Sequence, residues 1–92
     1  MAAYIIVGFT PKDMELLQEY SAKAASTISE FEGEFLAKSI PQPLNSKEHP
    51  EYQAIISFPT REKAEGWYLS SQYQGLVSIR DKAMESNFQL VG

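Results

Sequence analysis

Ninety-two residues suffice for one domain with a modest core, because a chain of this length buries only about two-thirds of its unfolded surface. Cysteine is absent and histidine occurs once, which excludes a disulfide framework, a zinc-thiolate site and a cysteine nucleophile. The net charge of -4, with eight basic residues scattered along the chain, argues against a nucleic-acid partner.

The opening run MAAYIIVGF has neither a basic flank nor a small-residue cleavage site, and no segment approaches the roughly 18 apolar residues of a membrane span. A cytoplasmic location with no membrane partner is expected. Residues 3–9 are β-branched and aromatic and stop at Thr10-Pro11, which predicts a first strand. Thr10, Pro11 and Asp13 then form a helix start, with Thr10 as N-cap, proline at the first helical position and an acid three residues on. Leu17, Tyr20, Ala24, Ile28 and Phe31 recur at three- and four-residue spacing and give that helix one packing face. Gly33 suits the left-handed position behind a helix, and residues 34–40 follow as the second strand.

Residues 41–51, with Pro41, Pro43 and Pro50, predict a mobile loop. Residues 52–58 form the third strand, and Thr60 is placed to cap a second helix carrying Ala64, Trp67 and Tyr68. Ser71 and Gln74 make a capping box, so this helix breaks near Ser70 and restarts through Tyr73, Leu76, Val77 and Met84. Residues 88–91 are a short final strand at an edge or a dimer contact.

The order β-α-β-β-α-β predicts an α+β domain spanning residues 1–92, of the ferredoxin-like type, with a four-stranded antiparallel sheet and two helices on one face. The first and third strands are apolar on both alternations, since Tyr4 and Ile6 point opposite to Ile5 and Val7. Helices cover one side only, so a second sheet is expected on the other, as in a homodimer packed through its sheet faces.

The residues Phe58-Pro59-Thr60, Ala64, Trp67-Tyr68, Ser70-Ser71-Gln72-Tyr73, Leu76 and Arg80 resemble the family called domain of unknown function 1330. That family reads as a strand ending in Phe-Pro, a helix with Ala then Trp-Tyr, a Ser-x-x-Tyr turn, and a helix with Leu and Arg. The first half agrees more loosely, through residues 4–7, Tyr20 and Gly33 before Phe35-Leu36. The resemblance implies a dimeric α/β barrel related in fold to antibiotic-biosynthesis monooxygenases, stress-responsive barrel proteins and muconolactone isomerases, and no settled activity. The chain departs from the pattern at Ser57, where the family often has an acid, and over residues 41–50, where it has a glycine-bearing hairpin.

No phosphate-binding loop, paired-histidine spacing, nucleophile elbow or dinucleotide fingerprint occurs, so neither a cofactor nor a metal is expected. His49 is a candidate general base on the loop, although its place between Glu48 and Pro50 in the most polar stretch favours a solvated side chain. Trp67, Tyr68 and Tyr73 could line a pocket for a planar ligand or could be plain core. A helix start at Ser70-Ser71 would expose amides to an anionic group. Glu62, Glu65 and Glu85 look like solvated helix-face charges.

Arg80 stands in the apolar stripe of Tyr73, Leu76, Val77 and Met84, where a permanent cation needs a partner. It either reaches water or an acid such as Glu19 or Glu34, or else anchors a ligand carboxylate between Trp67 and Tyr73. The function expected from these residues is binding of a small hydrophobic or aromatic acid in a sheet-helix cleft, without cofactor. The alternatives are a dimer acting through its surface as an accessory or stress-related protein, and a cofactor-free monooxygenase or isomerase. Whether the chain is an enzyme stays open at this point.

Overall fold

Strict alternation along the first strand decides which way the sheet faces. In the computed structural model, which describes residues 1–92, β1 (Ala3–Pro11) turns Ala3, Ile5, Val7 and Phe9 to the interior, all 6% exposed or less. Tyr4 and Ile6 point the other way and stay partly accessible. The remaining elements are α1 (Met14–Glu30), β2 (Glu34–Ser39), β3 (Tyr52–Phe58), α2 (Arg61–Leu69), α3 (Ser71–Gln74), α4 (Val77–Ala83) and β4 (Met84–Val91).

The strands lie in the order β2-β3-β1-β4 with every neighbour antiparallel, which is the ferredoxin-like βαββαβ arrangement. One hydrophobic cluster joins the inward faces of β1 and β3 to Tyr20, Ala24 and Ile28 of α1, to Ala64 and Trp67 of α2 and to Tyr73 of α3. Phe58, Trp67 and Tyr73 are its largest fully buried side chains. Burial of one such side chain contributes about 1.5–3 kcal/mol, so these three hold the helices to the sheet. No helix is long and apolar enough to cross a membrane.

Several boundaries differ from those the sequence suggests. Asp13 caps α1, its carboxylate accepting from the Leu16 amide at 3.1 Å, because β1 runs on through Pro11 in register with Met84. Thr10, the expected cap, instead accepts from the Glu51 amide at 3.2 Å. The left-handed residue behind α1 is Glu32 at φ 62°, one position before Gly33. Gly33 is needed for closeness, since a Cβ there would lie 2.5 Å from Cε2 of Phe58 and 2.8 Å from Cγ2 of Ile28. β4 begins at Met84 and is twice the expected length, so Met84 and Glu85 belong to a strand and not to a helix.

The outer face of the sheet is less apolar than two-sided strands imply. Ile6 faces Ile55 across β1 and β3, and Tyr4 faces Val91 across β1 and β4. Gln53, Ser57, Asn87 and Gln89 flank this narrow stripe in the same registers. The segment between β2 and β3 reaches the outer face too, for a Cβ on Gly8 would lie 2.9 Å from Cγ of Pro50.

Candidate functional site

Trp67 sits at the centre of the helix-sheet interface, 1% exposed. A buried indole N–H needs an acceptor, and Trp67 Nε1 donates to Thr27 Oγ1 at 3.0 Å while that hydroxyl donates to the Ala24 carbonyl at 2.7 Å. α2 stops two residues later because Ser70 is extended, at φ -65° and ψ 150°. The Ser70 hydroxyl donates back to the Trp67 carbonyl at 2.7 Å and accepts from the Tyr73 amide at 3.1 Å, so a single side chain closes α2 and caps α3. The cap is therefore Ser70 and not Ser71. Gln74 turns to the Tyr68 carbonyl instead of completing a capping box. Ser70 itself occupies the Tyr73 amide, which removes one of the donors that this helix start would offer an anion.

This turn lays Tyr73 against Trp67, with ring centroids 4.3 Å apart, and brings Tyr68 within 5.3 Å of Tyr73. Phe88 of β4 closes the cluster, 6.1 Å from Tyr73 and 5.6 Å from Tyr68. The Arg80 guanidinium lies 5.1 Å over the Phe88 ring, an attractive cation–π arrangement. Its Nη1 donates to the Tyr68 hydroxyl at 3.0 Å and the Tyr73 hydroxyl at 3.4 Å, and its Nε donates to Asp81 at 3.1 Å. Neither Glu19 nor Glu34 pairs with it, for Glu19 sits beside Lys23 and Glu34 lies on the exposed strand β2. Tyr20 of α1 completes the polar chain, its hydroxyl 2.6 Å from that of Tyr73.

Burial sets the electrostatics of this group. It pushes the Tyr20 phenol far above its usual 10.0, and the adjacent Tyr73 adds to the rise. Tyr73 is also raised by burial, although its bonds to Tyr20 and Arg80 pull the other way. Burial opposes the Arg80 charge, but hydrogen bonds to Tyr73 and Tyr68 outweigh it and keep the guanidinium firmly protonated.

Two cavities flank the cluster. One, of about 260 Å³, lies between the sheet and α1 and is walled by Phe9, Tyr20, Phe35, Trp67 and Phe88, with Lys38 as its cation. The other, about 230 Å³, is an open groove between α2 and β4 that includes Tyr68, Leu69 and Phe88. Of the residues expected at a site, Trp67 lines the cleft and Tyr68 the groove, whereas Arg80 and Tyr73 line neither and stand behind the walls. His49 is remote and exposed, its Nδ1 donating to the Pro50 carbonyl at 2.7 Å.

Sequence reasoning missed Lys38 and Tyr20. Phe35 pairs with Ile56 and Lys38 with Ala54, so a bulge at Leu36 puts both on the helix side of the sheet, where simple alternation would separate them. Tyr20 was legible as a packed residue, but nothing local marks a hydroxyl that meets Tyr73 across 53 positions.

The family model for domain of unknown function (DUF1330) matches residues 2–92. The chain belongs to the DUF1330 family. Among solved structures, this DUF1330 member is similar to the RPA0582 protein of unknown function from Rhodopseudomonas palustris, with 12% identity over 98% of this chain and 80% of that one and a TM-score of 0.79. It is also similar to SnoaB, a cofactor-independent oxygenase from Streptomyces nogalater, with 11% identity, coverage of 99% and 91%, and a TM-score of 0.71. A dimeric protein of unknown function and ferredoxin-like fold from Bacteroides fragilis NCTC 9343 gives 9% identity, coverage of 97% and 93%, and a TM-score of 0.62. At these identities the likeness is one of fold. None of the curated proteins matches the DUF1330 chain.

Proposed function

We propose that this DUF1330 protein is a small-molecule-binding homodimer, and that each chain takes a small hydrophobic or aromatic acid in its sheet-helix cleft without a cofactor. The observation that carries this reading is the cleft itself: about 260 Å³ of space walled by aromatic and aliphatic side chains, with Lys38 as the cation among them. Ligand sites have this composition, a mostly apolar concavity with a few polar groups that set orientation. The aromatic walls would hold a flat ring system and the Lys38 ammonium would take its carboxylate. Arg80, Tyr73 and Tyr68 brace the wall from behind. Dimerisation would use the outer sheet face, where Tyr4, Ile6, Ile55 and Val91 form the apolar stripe. The dimeric state of the Bacteroides fragilis relative supports that reading by analogy of fold.

The single tryptophan lines the cleft, so its emission is a direct probe. Titration with 2-naphthoate should quench Trp67 saturably and raise the melting temperature, more than naphthalene does. Lys38→Met should weaken naphthoate severalfold and leave naphthalene unchanged. Absence of saturable quenching by either compound would overturn the reading and favour a dimer that acts through its surface.

A further inference from the structure

Counting donors and acceptors in the Tyr20–Tyr73 pair shows one hydrogen too many. Arg80 can only donate, and it donates to the hydroxyls of Tyr68 and Tyr73. The Tyr20 and Tyr73 hydroxyls share one contact, at 2.6 Å, so only one of their two hydrogens is used in it. If Tyr20 donated to Tyr73, the Tyr73 oxygen would accept from both Tyr20 and Arg80. The Tyr73 hydrogen would then have no acceptor in a residue that is 0% exposed. A buried donor without a partner bears its full desolvation penalty. The opposite polarity moves the spare hydrogen out of the fully enclosed residue: Arg80 donates to Tyr73, Tyr73 donates to Tyr20, and the hydrogen without a protein acceptor rests on Tyr20. Tyr20 is 7% exposed and forms part of the cleft wall.

We infer that Tyr20 presents its hydroxyl hydrogen to the cleft, so that the ligand carries a hydrogen-bond-accepting oxygen, as in an aromatic ketone or quinone bearing an acid group. Arg80 fixes the direction of donation through Tyr73, which makes Tyr73 and Arg80 positioning residues and Tyr20 the group that touches the ligand. The inference rests on the cleft reading above and narrows it from any small aromatic acid to one with a second, neutral acceptor. Burial holds Tyr20 protonated, as a donor must be.

Two ligands that differ only in the acceptor isolate this contact: 6-acetyl-2-naphthoate and 6-ethyl-2-naphthoate, titrated by Trp67 quenching. The parent protein should prefer the acetyl compound by about five- to tenfold, the worth of one hydrogen bond. Tyr20→Phe should abolish that preference, and Tyr73→Phe should reduce it. In the parent protein the carbonyl stretch of the bound acetyl compound should move to lower frequency, a readout that does not depend on any variant folding. An unmoved stretch, or equal binding of the two compounds by the parent, would overturn the Tyr20 assignment and leave the cleft reading standing. Failure of both compounds to bind would overturn the cleft reading and this inference with it.

Discussion

Arg80 Nη1 donates to the hydroxyl of Tyr68 at 3.0 Å, so the cation in the apolar stripe of α4 is held by phenols and not by a buried acid. Its one carboxylate neighbour, Asp81, is 62% exposed at the side chain. Removing one partner of a buried ion pair costs about 3–5 kcal/mol because the other charge is stranded. Here no charge would be stranded. Arg80→Met should therefore lower stability by about 1.5–3 kcal/mol, the worth of hydrogen bonds from a charged donor. Urea melts of the two proteins check this, and a loss above about 4 kcal/mol would show that the guanidinium neutralises an acid elsewhere.

Thr27 is the acceptor for the buried Trp67 indole. Thr27→Val keeps the shape and leaves that N–H without a partner, at a cost of about 1–3 kcal/mol. The urea midpoint should fall accordingly. Trp67 emission should stay at short wavelength, since the ring remains in the core.

The turn from α1 into β2 carries two opposite expectations at adjacent positions. Gly33→Ala would drive a methyl group against Phe58 and Ile28 and should destabilise the protein by about 1–3 kcal/mol. Glu32→Gly should gain up to about 1 kcal/mol, because a non-glycine residue at φ 62° is strained. The ion pair of Glu32 with Lys63 is exposed and offsets little of this. Thermal melts that rank the two variants the other way would contradict the turn geometry.

Tyr20 and Tyr73 both have folded pKa values above the ordinary 10.0, so the unfolded chain releases these protons first as pH rises. The stability they contribute is full below 10.0 and is lost progressively above it. Alkaline titration should show two tyrosines that fail to ionise until the fold itself opens, read as a late step in tyrosinate absorbance coincident with loss of near-ultraviolet circular dichroism. Complete ionisation of all five tyrosines in the folded protein would contradict the buried chain of hydroxyls.

The Ile6–Ile55 pair stands at the middle of the outer apolar stripe. Light scattering of the parent should report twice the 10.4 kDa chain mass, and Ile6→Glu should return a monomer. A parent that scatters as a monomer at micromolar concentration would remove the sheet-face dimer.

Features that depend on residues near each other in the chain were legible from the sequence alone. β3 spans the expected residues 52–58, Thr60 caps α2 through the Lys63 amide, and the stripe of Tyr20, Ala24 and Ile28 is the buried face of α1. The helix break near Ser70 was visible as well, since serine is a strong capping residue. These follow from periodicity and local hydrogen bonding, which act over three or four positions.

Tertiary structure decided what those local rules leave undetermined. Asp13 and not Thr10 caps α1 because the pairing of β1 with β4 carries the strand through Pro11. Lys38 reaches the helix side only because a bulge at Leu36 resets the alternation against β3, and a bulge has no marker in the residues that form it. Arg80 looked like a residue in need of an acid, yet the fold offers it Tyr68 and Tyr73 and places it behind the cleft wall. Its partners, and the Tyr20–Tyr73 contact across 53 positions, exist only once the helices dock on the sheet. Chain spacing sets which residues share a face where an element is regular, but the free energy of burying a polar group depends on who meets it there.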